Sequence, residues 1–134
     1  SYRDYAVGIN FIKFGEGVKK LFEVPLYWEN SPELVYKEWH LKRGQTEWKY
    51  VPTDIDLTLD TGHLMLGAKD DEEARQRIHD VLRLFGNQIK HLHIHENNLL
   101  QDNHDPIGRV ITPDFLEIIT RGRTFIFERY EGQT

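Results

Sequence analysis

Four side chains of the types that bind divalent cations follow or end four apolar segments of the chain. They are Glu29, Asp60, His93 and Glu128, separated by 31, 33 and 35 residues. The chain contains no cysteine, so a metal site must use carboxylate oxygens and imidazole nitrogens, which suit Mg²⁺, Mn²⁺ and Zn²⁺. The residue types and their regular spacing predict a divalent-metal site made from these four side chains.

Alternating helices and strands would position these side chains. Apolar spacing and N-cap signals predict helices over Ala6–Lys20, from Ser31-Pro32, from Asp70 to Gly86 as C′ residue, and from Thr112-Pro113 to near Gly122. Apolar runs predict strands over Leu21–Trp28, Ile55–Leu59, Ile89–Ile94 and Thr124–Phe127, and the polar stretch His40–Thr53 is predicted to be a loop. Strands joined by crossover helices are parallel, so we expect the α/β class. No Gly-rich turn joins a strand to a helix, which argues against a doubly wound dinucleotide-binding sheet.

Strand geometry divides these residues between two faces, because residues two apart point the same way. His93 shares its face with His91 and His95, which we expect to line a barrel or to orient a neighbouring ligand. The opposite, apolar face, including Phe125 and Phe127, is expected to pack under the helices. Convergent carboxylates are costly to bury unless a cation compensates their charge, which supports the metal site.

The composition is that of a globular domain, with 39% hydrophobic and 29% charged residues. We expect one domain over residues 1–134, with a helix over residues 1–20 and βα units over residues 21–134. The net charge of -5 comes without a cluster of Lys or Arg, which makes nucleic acid an unlikely partner. No apolar run approaches the roughly 20 residues of a membrane span, and the first residues lack a signal-peptide pattern, so we expect a cytoplasmic protein.

The segments around the four side chains resemble the strand-end motifs of the xylose isomerase-like, or AP endonuclease family 2, superfamily, which includes sugar epimerases and endonuclease IV. These segments are Leu26-Tyr27-Trp28-Glu29-Asn30, Leu59-Asp60-Thr61-Gly62-His63, His91-Leu92-His93-Ile94-His95, Asp102-Asn103-His104-Asp105-Pro106-Ile107-Gly108 and Phe127-Glu128. They occur in the superfamily's order, from about Leu21 to Gly132. The resemblance implies the parallel C-terminal half of a (β/α)8 TIM barrel, with about four βα units that correspond to strands 5 to 8.

The resemblance also implies roles for individual residues. The superfamily's central cation, Mn²⁺, Mg²⁺ or Zn²⁺, would be held by Glu29, Asp60, His93 and Glu128. Glu29 and Glu128 would also transfer protons during catalysis. His63 would contact the substrate in an epimerase or bind a second zinc in a nuclease, where Asp102 and His104 would complete a further metal site.

Three functional hypotheses follow from the resemblance. The first is a sugar or sugar-phosphate isomerase or epimerase, in which a proton leaves carbon to give an enediolate. The second is an endonuclease IV-like metal-dependent phosphodiesterase, favoured by Asp102 and His104 and opposed by the acidic net charge. The third is a half-barrel that binds metal or a partner chain without catalysis.

The sequence departs from the superfamily's pattern in two respects. Arg109-Val110 stands where Glu-Gly often follows Ile-Gly, which leaves the sugar substrate open. The superfamily's first four strands have no counterpart in this sequence, and a half-barrel alone would leave sheet edges unpaired. The expected macromolecular partner is therefore an N-terminal half-barrel from a longer chain, or a second copy of this chain in a homodimer.

Overall fold

The computed structural model describes residues 2–23, 25–30 and 53–129, and describes side chains only from residue 12 onward. The predicted helix at Ser31-Pro32 and nearly all of the predicted loop His40–Thr53 lie outside the described residues. Among the helices of these ranges, none combines the length and the apolar character required to cross a membrane.

The described chain alternates between helices and parallel strands. The helices are α1 (Tyr2–Phe22), α2 (Thr61–Met65), α3 (Asp71–Phe85) and α4 (Pro113–Thr120). The strands are β1 (Trp28–Glu29), β2 (Leu57–Asp60), β3 (Ile89–Ile94) and β4 (Thr124–Phe127). They form one parallel sheet in the order β1-β2-β3-β4. The predicted α/β class is confirmed, and the strand order is compatible with the predicted half-barrel.

The two longer helices after β2 begin where their capping residues predict. The side chain of Asp70 accepts a hydrogen bond of 2.8 Å from an amide in the first turn of α3, and Thr112 caps α4 in the same way. Pro113 follows at the first position of α4, where its missing N–H costs nothing. Gly122, with φ of 70°, supplies the left-handed residue after α4. Gly86 was predicted as the C′ residue of α3, but it is the C-cap residue directly after Phe85, with φ of -55° and ψ of -34°.

The hydrophobic core joins the sheet to α3 and α4. Its fully buried side chains include Leu59, Leu92 and Ile94 from the strands, Ile78 from α3 and Ile119 from α4. Because Leu92 and Ile94 are two residues apart on β3, they share one face, and His93 between them points to the other. The predicted division of β3 into an apolar and a ligand-bearing face is confirmed.

The predicted strand Leu21–Trp28 is wrong over most of its length. The helix continues to Phe22, and the paired strand contains only Trp28–Glu29. An apolar aromatic run resembles a strand in sequence, but extending an existing helix costs little once its earlier turns are formed. Glu23, with φ of 54°, then ends the helix, and Pro25 cannot donate a helical hydrogen bond.

The predicted packing of β4 under the helices is also wrong. Phe125 and Phe127 are 42% and 53% exposed, and Ile126 between them is 47% exposed. β4 pairs on one side with β3, and within the described residues it forms an edge of the sheet. Its apolar side chains are exposed because, in this part of the chain, nothing packs across them.

Candidate metal centre

The four predicted ligands converge at one edge of the sheet. Glu29 and Asp60 end β1 and β2, His93 lies opposite Asp60 on β3, and Glu128 follows β4 directly. The amide of Glu128 donates to the carbonyl of Ile94 at 3.0 Å, which continues the strand pairing to this residue. The carboxyl ends of parallel strands meet at one edge, so residues that are 31 to 35 positions apart in sequence become neighbours. One ligand atom from each of the four side chains lies within 4.8 Å of all the others.

His93 lies between two carboxylates of this cluster. Its Nδ1 is 2.9 Å from Glu29 Oε1 and 3.2 Å from Glu128 Oε1. A single N–H satisfies one of these oxygens well, whereas a cation satisfies both. Burial raises the pKa of Glu29, and the neighbouring Asp60 carboxylate raises it further. Three carboxylates, those of Glu29, Asp60 and Glu128, therefore converge on one imidazole.

The strand end of β2 is fixed by Asn30 and by a short helix that the sequence did not predict. The Asp60 amide donates to Asn30 Oδ1 at 2.7 Å, and Asn30 Nδ2 donates to the Asp60 carbonyl at 3.1 Å. Asp60 Oδ1 also accepts from the His63 amide at 2.9 Å, and so caps α2. The sequence signal that could have predicted α2 is Asp60 itself, because Asp is a preferred N-cap residue.

The carboxylate oxygen Oδ2 of Asp60 indicates whether these residues fit a cation. The Asp60 side chain is only 1% exposed, and its Oδ2 has no hydrogen-bond partner among the described residues. An ionised oxygen that is buried without a partner carries a large desolvation cost, which a bound cation offsets. Three carboxylates and one imidazole match the oxygen-rich donor sets of Mg²⁺ and Mn²⁺, and the imidazole also admits Zn²⁺.

His95 occupies the middle of the cluster, although the sequence marked it only as a barrel-lining or orienting residue. Its side chain is fully buried, and Nε2 lies 2.7 Å from Asp60 Oδ1. Burial lowers the pKa of His95, but the carboxylates of Asp60, Asp102 and Glu128 together raise it more, and the net pKa is raised. Burial likewise raises the pKa of Asp60, while His95 and His63 lower it more, and the net pKa is lowered. Both shifts place the proton on His95 and the negative charge on Asp60.

The three further candidates lie beside His95. His63 Nε2 is 3.2 Å from Asp102 Oδ2, and His104 Nε2 is 3.5 Å from Asp102 Oδ1. The ring of His104 stacks on that of His95 with centroids 4.0 Å apart. The structure thus brings all seven residues that the sequence singled out to one end of the sheet. His91 does not join them; it is half-buried, and its Nδ1 lies 2.6 Å from Thr124 Oγ1.

The loop that carries Asp102 and His104 is held by one buried carboxylate. Glu96, only 2% exposed, accepts hydrogen bonds from consecutive backbone amides of the returning chain, over residues 108–111. The backbones of Glu96 and Asp105 pair as well, at 2.9 and 2.7 Å. Glu96 was not predicted from the sequence, because the residues around a structural carboxylate form no recognisable motif.

Replacing Glu96 by Gln is expected to lower the free energy of unfolding by about 2 to 3 kcal/mol, because an amide group would face backbone donors that then lack an acceptor. Urea unfolding followed by circular dichroism measures this change. The matched control is Glu117→Gln on the exposed surface of α4, where Glu117 pairs with Arg121 at 3.6 Å and the expected loss is below about 0.5 kcal/mol. Equal losses in the two variants would contradict the anchoring role.

The departure from the superfamily's pattern at Arg109 has a structural explanation. Its guanidinium pairs with Asp71 at 3.0 Å and also donates to the Asn97 carbonyl. Arg109 therefore joins the loop that carries Asp102 and His104 to the first turn of α3, where its partner Asp71 lies. This role concerns the scaffold and leaves the substrate open.

Comparison with known protein families, curated proteins and solved structures gives no match to this chain. The resemblance to the xylose isomerase-like superfamily therefore rests on the strand-end motifs and stays a prediction. The parallel sheet and the convergence of the ligand-type side chains stand independently of it, since both are properties of the described residues.

Proposed function

We propose that the protein binds a divalent cation through four side chains, Glu29, Asp60, His93 and Glu128. We propose also that it is all or part of an isomerase or epimerase of sugars or sugar phosphates. The observation that carries the proposal is the approach of these four ligand atoms to within 4.8 Å at the carboxyl edge of a parallel sheet. Catalytic groups of (β/α)8 barrels occupy this edge. We propose further that the sheet is half of such a barrel, completed by an N-terminal half-barrel or by a second copy.

The activity requires proton transfer at a carbon next to a carbonyl group. A bound cation would supply Lewis-acid polarisation of the carbonyl oxygen. Glu29 Oε1 and Glu128 Oε1 lie 2.9 and 3.2 Å from the same nitrogen of His93, so both carboxylates would lie beside the proposed cation. One carboxylate removes the proton from carbon and the other returns a proton, which interconverts the two sugars through an enediolate.

The test is incorporation of deuterium from D₂O into a panel of ketoses, aldoses and their phosphates, followed by proton NMR with and without Mn²⁺, Mg²⁺ or Zn²⁺. We expect exchange at the carbon next to the carbonyl only when a cation is present. Cation binding without exchange in any sugar would favour a non-catalytic half-barrel. Absence of cation binding would overturn the proposal.

The endonuclease IV-like alternative is favoured by one observation, the position of Asp102 between His63 and His104 at 3.2 and 3.5 Å. Such a side chain would help to hold additional cations that activate water against a phosphodiester. The net charge of -5 opposes binding to a phosphate backbone. A titration with duplex DNA at increasing salt distinguishes a nuclease from a sugar isomerase or epimerase. A nuclease would bind DNA with an affinity that falls steeply with salt.

A further inference from the structure

We propose that the protein holds a second divalent cation, bound by His63, His95 and the carboxylate of Asp60. One ligand atom from each of these side chains lies within 4.8 Å of the other two. This site rests on the proposed metal centre only through Asp60, which the two sites share. It gives His95 the role of a metal ligand, with Asp60 as the bridge of a two-cation centre.

The hydrogen bonding of His63 leaves one nitrogen free to bind a cation. Its Nδ1 lies 2.8 Å from the carbonyl oxygen of Asn30, and a carbonyl only accepts, so Nδ1 carries the hydrogen. In the neutral ring, the lone pair of Nε2 then faces Asp60 Oδ2 at 3.5 Å and Asp102 Oδ2 at 3.2 Å. A lone pair that faces two carboxylates is repelled unless a proton or a cation lies between them. A histidine held by a carbonyl through its second nitrogen is the usual arrangement of a metal ligand.

Buried atoms without partners point into the same space. Asp60 Oδ2 and His95 Nδ1 have no hydrogen-bond partner among the described residues, while His95 Nε2 faces Asp60 Oδ1 at 2.7 Å. The side chains of Asp60 and His95 are 1% and 0% exposed. Each buried polar atom without a partner costs about 1 to 3 kcal/mol. A shared cation would satisfy both side chains.

The distances suit tetrahedral zinc after a small adjustment. Zinc bonds of about 2.0 to 2.2 Å in a tetrahedral site place ligand atoms roughly 3.3 to 3.6 Å apart. His63 Nε2 and Asp60 Oδ2, at 3.5 Å, already have this separation. His95 Nε2 and Asp60 Oδ1, at 2.7 Å, are closer than this separation, and they reach it when the two atoms move apart by less than about 1 Å.

The ring planes distinguish this site from the other arrangement around His95. The rings of His63 and His95 are nearly perpendicular, at 84°, and one nitrogen of each ring lies near the Asp60 carboxylate, at 3.5 and 2.7 Å. The rings of His95 and His104 are stacked, at 19°, and lone pairs in nearly parallel planes do not converge. Although His95, His104 and Glu128 also lie close together, the geometry favours the set with His63.

Gly62 keeps space for the ring of His95. A Cβ atom at Gly62 would lie 2.0 Å from Cε1 and 2.3 Å from Nδ1 of His95. Both distances are far below van der Waals contact, so any other residue at position 62 displaces the ring. The turn after β2 therefore places Asp60, Gly62 and His63 around one imidazole.

The test is the zinc stoichiometry of the protein, measured by calorimetric titration and native mass spectrometry. We expect a second equivalent of zinc that His95→Gln removes, while the equivalent held by Glu29, His93 and Glu128 is retained. His91→Gln is the matched control, because His91 lies on the same strand, is only half-buried and belongs to none of the three groups of ligand atoms. If His95→Gln does not fold, as judged by circular dichroism, His63→Gln replaces it, with the same expected loss.

A third variant, Glu29→Gln with Glu128→Gln, separates this proposal from the proposed function. It should lose the first equivalent of zinc and keep the second. A single equivalent in the wild type that His95→Gln does not change, and that the double variant abolishes, would overturn the second site alone. Two equivalents that persist in His95→Gln would overturn it as well, and no zinc binding by the wild type would overturn both proposals.

Discussion

Asp60→Asn is expected to weaken divalent-cation binding by a factor on the order of 10² to 10⁴, because removing one charge from a buried cluster costs about 3 to 5 kcal/mol. The Asp60 side chain belongs to two of the three groups of ligand atoms and is 1% exposed. Asn retains a side-chain oxygen that caps α2 and differs little in size. The loss should therefore appear in cation affinity far more than in the helix content of the protein.

Calorimetric titration with Mn²⁺ and Zn²⁺ measures this effect, and circular dichroism reports whether the fold is retained. Asp56→Asn is the matched control, since Asp56 precedes the same strand, pairs with Lys19 at 3.6 Å and is 37% exposed. We expect its cation affinity to match that of the wild type. Unchanged affinity in Asp60→Asn would show that the buried carboxylate is structural and would remove the proposed centre.

Glu128→Gln is expected to lower the rate of deuterium exchange and of sugar interconversion by about 10²- to 10⁴-fold, the usual contribution of a general acid or base. The amide of Gln cannot take or return a proton at neutral pH. The Glu128 side chain is 26% exposed, so the isosteric amide fits without repacking. The rate is measured by NMR at cation concentrations that saturate the variant, so that weaker cation binding does not account for the loss.

Two comparisons make the Glu128 experiment decisive. Glu117→Gln, on the exposed surface of α4, should leave the rate unchanged. Glu29→Gln should reduce the rate to a similar extent, because the proposed reaction uses one carboxylate to remove the proton and the other to return it. Full activity in Glu128→Gln with the cation bound would contradict its role in proton transfer.

Most of the local structure between residues 53 and 129 could be predicted, because local signals there agree with burial. α3 begins after the predicted cap Asp70, α4 begins after Thr112, and β3 and β4 have the predicted bounds. In each case a capping side chain or a β-branched run favours the same structure that the core requires. The positions of Asp60, His93 and Glu128 at the strand ends followed from these elements.

The errors occurred where tertiary neighbours decide the outcome. Phe125 and Phe127 have the alternating pattern of a buried strand, yet the edge position of β4 leaves them exposed. Phe22 belongs to the apolar run that predicted a strand, yet it lies in a helix. A sequence pattern records which side chains prefer burial, and it does not record whether another element arrives to bury them.

The sequence by itself determined the class of the fold, the parallel pairing and the set of side chains that gathers at the sheet edge. These depend on periodicity and capping, which act over a few residues. Only the tertiary structure decided that His95 is the buried centre of that set, that Glu96 holds the loop of Asp102 and His104, and that Gly62 makes room for an imidazole. Each of these depends on atoms more than 10 residues apart in sequence, and such contacts are fixed when the strands pair and the core closes.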